Sequence, residues 1–243
     1  MQEVTLITGG SNGIGAAIGA SETALGRHVL NLDLAAPQAE LPSQTYIKVD
    51  LANRVLTREL LKDIGGKYAV SRIVNNVGAT GGFGIEKIPL DRLDLLNELH
   101  IVLPIMLMQM ALPSMRERRF GRVVFISSGA AKGRPNASIY GATRASMMSL
   151  AASWALELGR DGVTVNAIAP GPVQTDLFLR GAPVGSTNYE YQKSRTAIGR
   201  LGVPKDVAVL AAFLLGADSE NITGQTIFTC GGASIGQSPL PPY

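Results

Sequence analysis

VTLITGGSNGIG, residues 4–15, is the stretch that decides the fold. A β-branched apolar run, Val4 to Thr8, passes without a break into a glycine-rich turn, and the turn opens a helical pattern near 13–26. The run does not alternate with polar residues, so it reads as a strand buried on both faces, as parallel strands are. Gly9, Gly13 and Gly15 punctuate the turn, with Ser11, Asn12 and Ile14 between them. A tight turn that lets the backbone approach a pyrophosphate needs positions without side chains, and the helix N-terminus behind it supplies free amides and the positive end of a dipole. Such a glycine triple also serves as a plain strand–helix turn, so the context matters. Asp33 closes the second strand pattern 18 residues after Gly15, where a carboxylate can accept hydrogen bonds from an adenosine ribose. Its neighbours Leu32 and Leu34 are apolar, which argues against a merely solvated strand end, and Leu34 joins it as a candidate adenosine contact. A carboxylate at this place repels a 2′-phosphate, and no Arg or Lys stands at 10–12 or 34 to attract one, so the expected dinucleotide is NAD(H) rather than NADP(H).

The rest of the chain continues the pattern. VTLIT (4–8), HVLNLDL (28–34), YIKVD (46–50), RIVNNV (72–77), RVVFISS (122–128), VTVNAIA (163–169) and QTIFT (225–229) read as strands. Segments near 13–26, 53–66, 91–118, 139–160 and 205–217 read as helices. The alternation predicts an α/β fold, a Rossmann-type doubly wound parallel sheet of about seven strands with helices on both faces, in a single domain over 1–243. A segment at about 176–200 reads as a loop, and the Pro-rich QSPLPPY (237–243) as an extended arm or subunit contact.

Composition narrows the function classes. With 46% hydrophobic and 17% charged residues the chain suits a well-buried globular enzyme rather than a disordered one. The net charge of +3 is scattered apart from Arg116, Arg118 and Arg119, which read as a solvated helix end and not a nucleic-acid patch. One cysteine, Cys230, excludes an internal disulfide and suits a reducing compartment. Two histidines, His28 and His100, make no His/Cys metal cluster, so no metal is expected. The first residues carry no basic-apolar-small leader pattern. The apolar run IVLPIMLMQMAL (101–112) reads as a buried helix too short to span a bilayer, so no membrane association and a cytoplasmic location are expected.

YGATRAS (140–146) brings the chemistry. On a helix, Tyr140 and Arg144 share one face, and a fixed positive charge beside a phenol favours the phenolate. This is a route to a tyrosine acid/base.

Together these motifs resemble the short-chain dehydrogenase/reductase family over essentially the whole chain. TGGSNGIG is similar to its glycine motif, and Asp50 and Leu51 to its adenine-contacting pair. NNVG (75–78) resembles its NNAG and implies that Asn76 and Gly78 lie near the adenosine. Ser128, at the end of FISS, and Tyr140 match its catalytic serine and tyrosine. PGPVQT (170–175), with Pro170 and Gly171, is similar to the segment that holds the nicotinamide carboxamide through Val173 and Thr175. The resemblance implies hydride exchange between a nicotinamide and a carbinol or carbonyl carbon, with Tyr140 moving the proton and Ser128 polarising the oxygen.

Three departures stand out. Tyr140 follows Ser128 by 12 residues, one short of the family spacing, which would place Ser127 in the role by count. Arg144 replaces the family lysine; it keeps the charge, and its fork can donate to both hydroxyls of the nicotinamide ribose, but it does not release a proton near neutral pH. His100 stands where the family has a fourth catalytic residue, an asparagine, with Asn97 as the alternative. Pro104 has no N–H for the carbonyl of residue 100, so a kink there is expected, and the His100 ring either joins a proton relay by titrating near neutral pH or is simply packed. The expected function is NAD(H)-dependent oxidation or reduction of a secondary alcohol or ketone. Leu177, Phe178, Leu179, Tyr189 and Tyr191 point to an uncharged, moderately hydrophobic partner, and the small-residue loops 79–84 and 128–133 leave room for a ring. The other readings are a weakened NAD(H)-binding sensor or scaffold, and a lyase or epimerase using the same phenol. The apolar patterning of 101–115 and 145–158 suggests a homotetramer.

Overall fold

Seven parallel strands form one sheet in the order β3-β2-β1-β4-β5-β6-β7. In the computed structural model, which describes residues 1–79 and 82–236, these are β1 (Gln2–Thr8), β2 (His28–Asp33), β3 (Gln44–Lys48), β4 (Tyr68–Asn75), β5 (Gly121–Ile126), β6 (Val163–Pro170) and β7 (Thr226–Thr229). The Pro-rich segment 237–243 and Thr80 and Gly81 of the 79–84 loop lie outside the described residues.

The strands carry two cores by simple alternation. Leu6, Leu30, Ile73, Val123, Phe125 and Val165 face one side, where α2 (Arg54–Lys67), α4 (Leu103–Arg118) and α5 (Ser138–Leu158) pack. Ile7, Val29, Val74, Val124 and Ile168 face the other, under α1 (Gly13–Ala24) and α8 (Pro204–Leu214). A period of two with both faces covered explains why the strand sequences read as continuous apolar runs. Inside α1, Glu22 is fully buried and its carboxylate accepts from Thr5 Oγ1 (2.8 Å) and Arg27 Nη1 (2.6 Å). The chain runs outward from β1 through β2 to β3, then returns to place β4 on the other side of β1. This reversal opens a crevice at the carboxyl ends of β1 and β4, the place where open parallel sheets bind ligands.

Two expectations need correction. The segment 176–200 is not a plain loop, because it contains α6 (Asp176–Gly181) and α7 (Thr187–Ser194). Each begins at a hydroxyl N-cap: Thr175 Oγ1 accepts from Phe178 N (3.2 Å) and Ser186 Oγ from Tyr189 N (3.2 Å). These helices, of 6 and 8 residues, are too short to impress a period on the sequence. The apolar run 101–112 belongs to a helical stretch, Leu90–Arg118, of 29 residues, which by length and hydropathy could cross a bilayer. It instead lies along the sheet and buries Leu103, Leu107, Ala111 and Met115 in the core.

That stretch is not uniform. α3 (Leu90–Asn97) and α4 are joined by a π-helical segment, Glu98–Val102, in which Leu103 N–H donates to the Glu98 carbonyl five residues back. Pro104 follows directly and has no amide to continue a regular ladder, so the chain widens by one residue where proline would otherwise break it. Arg54, at the start of α2, grips the Glu98 carboxylate with both Nε and Nη2.

Phe125 is fully buried and packs its ring 5.5 Å from that of Trp154. Phe125→Ala is expected to destabilise the fold by about 3–5 kcal/mol, read in urea unfolding followed by the fluorescence of the single tryptophan.

Candidate active site

The glycine loop is built from below. Asn76 Nδ2 donates to the carbonyls of Thr8 (3.0 Å) and Gly9 (2.8 Å), while Thr8 Oγ1 accepts from the amides of Asn76 (3.0 Å) and Val77 (3.1 Å). This ties the ends of β1 and β4 together. A Cβ on Gly15 would lie 2.0 Å from the Gly9 carbonyl oxygen, so only glycine fits where the helix meets the loop. Gly9 and Gly13 have φ of 67° and 55°. Asn12 caps α1 with its backbone extended and without a side-chain cap, leaving the first amides of the helix for a ligand. Asn31, buried in mid-strand, donates to Ser11 Oγ (3.0 Å) and steadies the loop from the side. An asparagine inside the apolar run HVLNLDL is the signal that sequence reading passed over.

Asp33 sits where expected, at the end of β2. Its Oδ2 accepts from Ser11 N (2.9 Å) and its Oδ1 from Ala35 N (3.0 Å), so the carboxylate is anchored to the glycine loop. Leu34 is exposed beside it. At the end of the neighbouring connection Asp50 is exposed, its Oδ1 accepting from Ala52 N (3.0 Å), and Leu51 is buried. Pro170 ends β6, and the chain then passes Gly171, whose absent Cβ would strike Cys230, and Val173, which bridges to Gly202. Thr175 Cγ2 comes within 3.1 Å of where a Gly13 Cβ would be. The glycines, the uncapped helix start, Ile14 in the first turn of α1, Asp33 and this segment therefore surround one cradle whose shape and donors fit a dinucleotide.

The two serines beyond β5 divide their work. Ser127 is buried and donates to the Arg144 carbonyl (2.7 Å), which fixes α5 to the strand end. Ser128 Oγ accepts from Ala130 N (3.2 Å) and makes a hydrogen bond with Tyr140. The geometry thus puts Ser128, not Ser127, against the phenol, and the short spacing to Tyr140 is taken up in the turn Gly129–Lys132. Burial opposes ionisation of Tyr140. The charge of Arg144, hydrogen bonds with Ser128 and Arg144, and the more distant Arg134 outweigh it, so the phenol lies below its ordinary value.

Arg144 is buried, with its guanidinium 5.1 Å from the Tyr140 ring centre. Its Nη1 donates to the Ile126 carbonyl (2.6 Å), so that arm of the fork is tied to the backbone. The other arm, Nη2, lies beside Gly78. His100 is corrected. Its ring is fully buried 6.2 Å from that of Tyr140, and burial first, then the Arg144 charge, push it down to about 2. It is a neutral imidazole, not a group that titrates near neutral pH. In the substrate-side segment, Tyr189 donates its hydroxyl to Gln174 Oε1 (3.2 Å) and so packs α7 against PGPVQT, while Leu177 and Tyr191 stay exposed.

A dinucleotide cradle and a phenol of lowered pKa at one sheet edge define a nicotinamide-dependent oxidoreductase site. The comparisons agree. A family model described as enoyl-(acyl carrier protein) reductase matches residues 9–234. The short-chain dehydrogenase/reductase FrzI of a Cladobotryum species is 30% identical over 249 residues and 96% of each chain. Acetoacetyl-CoA reductase from Shinella zoogloeoides is 32% identical over 240 residues, 96% of this chain and 98% of that one. A solved structure described as an NAD(P)-dependent gluconate 5-dehydrogenase from Beutenbergia cavernae, with NADP at low occupancy, is 25% identical and superposes with a TM-score of 0.89 over 96% and 97% of the two chains. The chain belongs to the short-chain dehydrogenase/reductase family.

The buried neutral His100 sets a pH dependence with a definite sign. The unfolded chain binds a proton at this histidine below about pH 6.5 and the folded one does not, so stability falls as the pH drops from there. The His100 ring resonances should not titrate between pH 5 and 8 in NMR. Urea unfolding should show this site's contribution declining by about 1.4 kcal/mol per pH unit well below 6.5, a slope that His100→Asn removes.

Proposed function

We propose that the chain is an NAD(H)-dependent oxidoreductase acting on a secondary alcohol or the corresponding ketone. The observation that carries this is Tyr140, held below its ordinary phenol value between Ser128 and Arg144 at the sheet edge that also bears the glycine loop. A nicotinamide held in the cradle would accept or supply the hydride. In the oxidative direction the Tyr140 phenolate takes the hydroxyl proton as the carbinol carbon becomes a carbonyl; in reduction the phenol returns it. Ser128 hydrogen-bonds the same oxygen, and Arg144 stabilises the phenolate. The cradle residues Gly9 to Gly15, Asp33, Leu34, Asp50, Leu51, Asn76, Gly78, Pro170, Gly171, Val173 and Thr175 hold the dinucleotide.

Preference for NAD(H) rests on Asp33, anchored beside Ser11 with no cation at 10–12 or 34. Against it stands the NADP bound to the Beutenbergia structure. The partly apolar rim at Leu177, Phe178 and Leu179 supports a moderately hydrophobic, uncharged substrate, a ring among the shapes that fit. Exposed Leu156 on α5 and Val209 and Phe213 on α8 support a homotetramer, and the free Cys230 a reducing, cytoplasmic setting.

The test is NADH absorbance across alcohols and ketones, with NADPH alongside. Turnover with NADH is expected, and Tyr140→Phe should lower it by about 10²–10⁴-fold. Ser128→Ala should cost about 10²-fold, while Ser127→Ala should leave proton transfer intact. Asp33→Ala should shift preference toward NADP(H). Tight NADH binding with no turnover of any substrate would instead mark a sensor or scaffold.

A further inference from the structure

A cavity of about 610 Å³ lies in the groove between α2 and α4. That is within the size range of small-molecule sites, about 300–1,000 Å³. Met1, Tyr68 and Val70 line one end of it and stand at the starts of β1 and β4. The glycine loop and Tyr140 lie at the opposite, carboxyl edge of the sheet, so this groove is separate from the candidate active site.

The interior of the groove is apolar. Leu61, Val70 and Ala111 are buried in its floor, and the partly buried Met106 and Met110 form its α4 wall. Methionine side chains adjust to the shape of an apolar guest. Gly65 opens the α2 wall. It lies inside the helix without a positive φ, where glycine weakens the helix and no turn calls for it. A Cβ there would lie 3.3 Å from Met110 Cγ, so a longer side chain would enter the groove.

The mouth is charged. Arg58 and Lys62 are exposed and stand four residues apart, on one face of α2. Neither side chain has a hydrogen-bond or ion-pair partner among the described residues. Glu117 on α4 is the acidic residue of the lining and is likewise unpaired among the described residues. Two cations against one carboxylate leave the mouth positive. An uncharged chain would leave these cations unmet, and a cationic amphiphile would be repelled by them. In a two-fold contact between copies the groove would meet itself, with a surplus of like charge on both sides. An apolar chain with an anionic end satisfies both the floor and the mouth.

We propose that the α2–α4 groove binds an amphipathic carboxylate of the fatty-acid class, its chain along Leu61, Met106 and Met110 and its head group at Arg58 and Lys62. Gly65 supplies the space for the chain.

The probe is laurate, titrated into protein carrying ¹³C-methyl methionine and followed by NMR. Of the seven methionines, Met106 and Met110 are expected to shift and saturate, while the buried Met115 and Met147 stay in place. Octanoate should bind more weakly, by about fourfold for each methylene removed. Dodecyltrimethylammonium, the same chain with the opposite charge, should leave the resonances unmoved. Arg58→Gln and Lys62→Gln should each weaken laurate binding by about threefold to fivefold. Gly65→Leu favours the helix and fills the groove, so it should fold and abolish the shifts. Absence of any shift with laurate overturns the proposal, and so does laurate binding that survives Gly65→Leu or that dodecyltrimethylammonium matches. Met106 and Met110 resonances that follow protein concentration and ignore laurate also overturn it, marking the groove as a contact between copies. No dinucleotide enters the experiment, so its result stands apart from the proposed oxidoreductase reaction.

Discussion

A positive charge fixed against a phenol inside a protein is the interaction around which this site is organised. Burial alone would make Tyr140 a poorer acid, and the neighbouring guanidinium reverses that balance. Much of the local structure serves to keep the guanidinium there. The Ile126 carbonyl at the end of β5 receives Nη1, Ser127 clamps the Arg144 carbonyl, and the missing side chain of Gly78 makes room for Nη2. The sheet sets all three positions, because β4 and β5 are neighbours and end at the same edge.

The architecture was open to sequence reading because each strand feeds two cores. A strand covered on both faces must be apolar at every position, and the helices between such strands carry an apolar stripe. The seven strands and five longer helices follow from that constraint. The short helices α6 and α7 do not, since hydroxyl caps rather than a buried face start them. The π-helical segment also has no periodic signature. Pro104 signalled a disturbance near His100, but a proline does not say whether the chain will kink or widen.

The site was legible as a set of residues and less so as a set of roles. Spacing alone left Ser127 and Ser128 competing; the hydrogen bond from Ser127 to the Arg144 carbonyl separates them. Asn76 reads in a motif as a cofactor neighbour, yet its amide is spent holding the Thr8 and Gly9 carbonyls, so it shapes the cradle. The identity of His100 suggests a titrating group, while its burial beside Arg144 makes it neutral. Thr143 became relevant only through its contact with that ring. In each case the missing information was the partner across the fold, which neither period nor motif contains.

The central claim is that Arg144 keeps Tyr140 ionisable at lower pH than an ordinary phenol. Ultraviolet difference titration measures this directly, with Tyr140→Phe subtracted to isolate one phenol from the six tyrosines. The account predicts a midpoint below the usual phenol value in the unsubstituted protein, one that stays low in Arg144→Lys and moves above that value in Arg144→Gln. A midpoint that is the same with arginine and glutamine at residue 144 would contradict it.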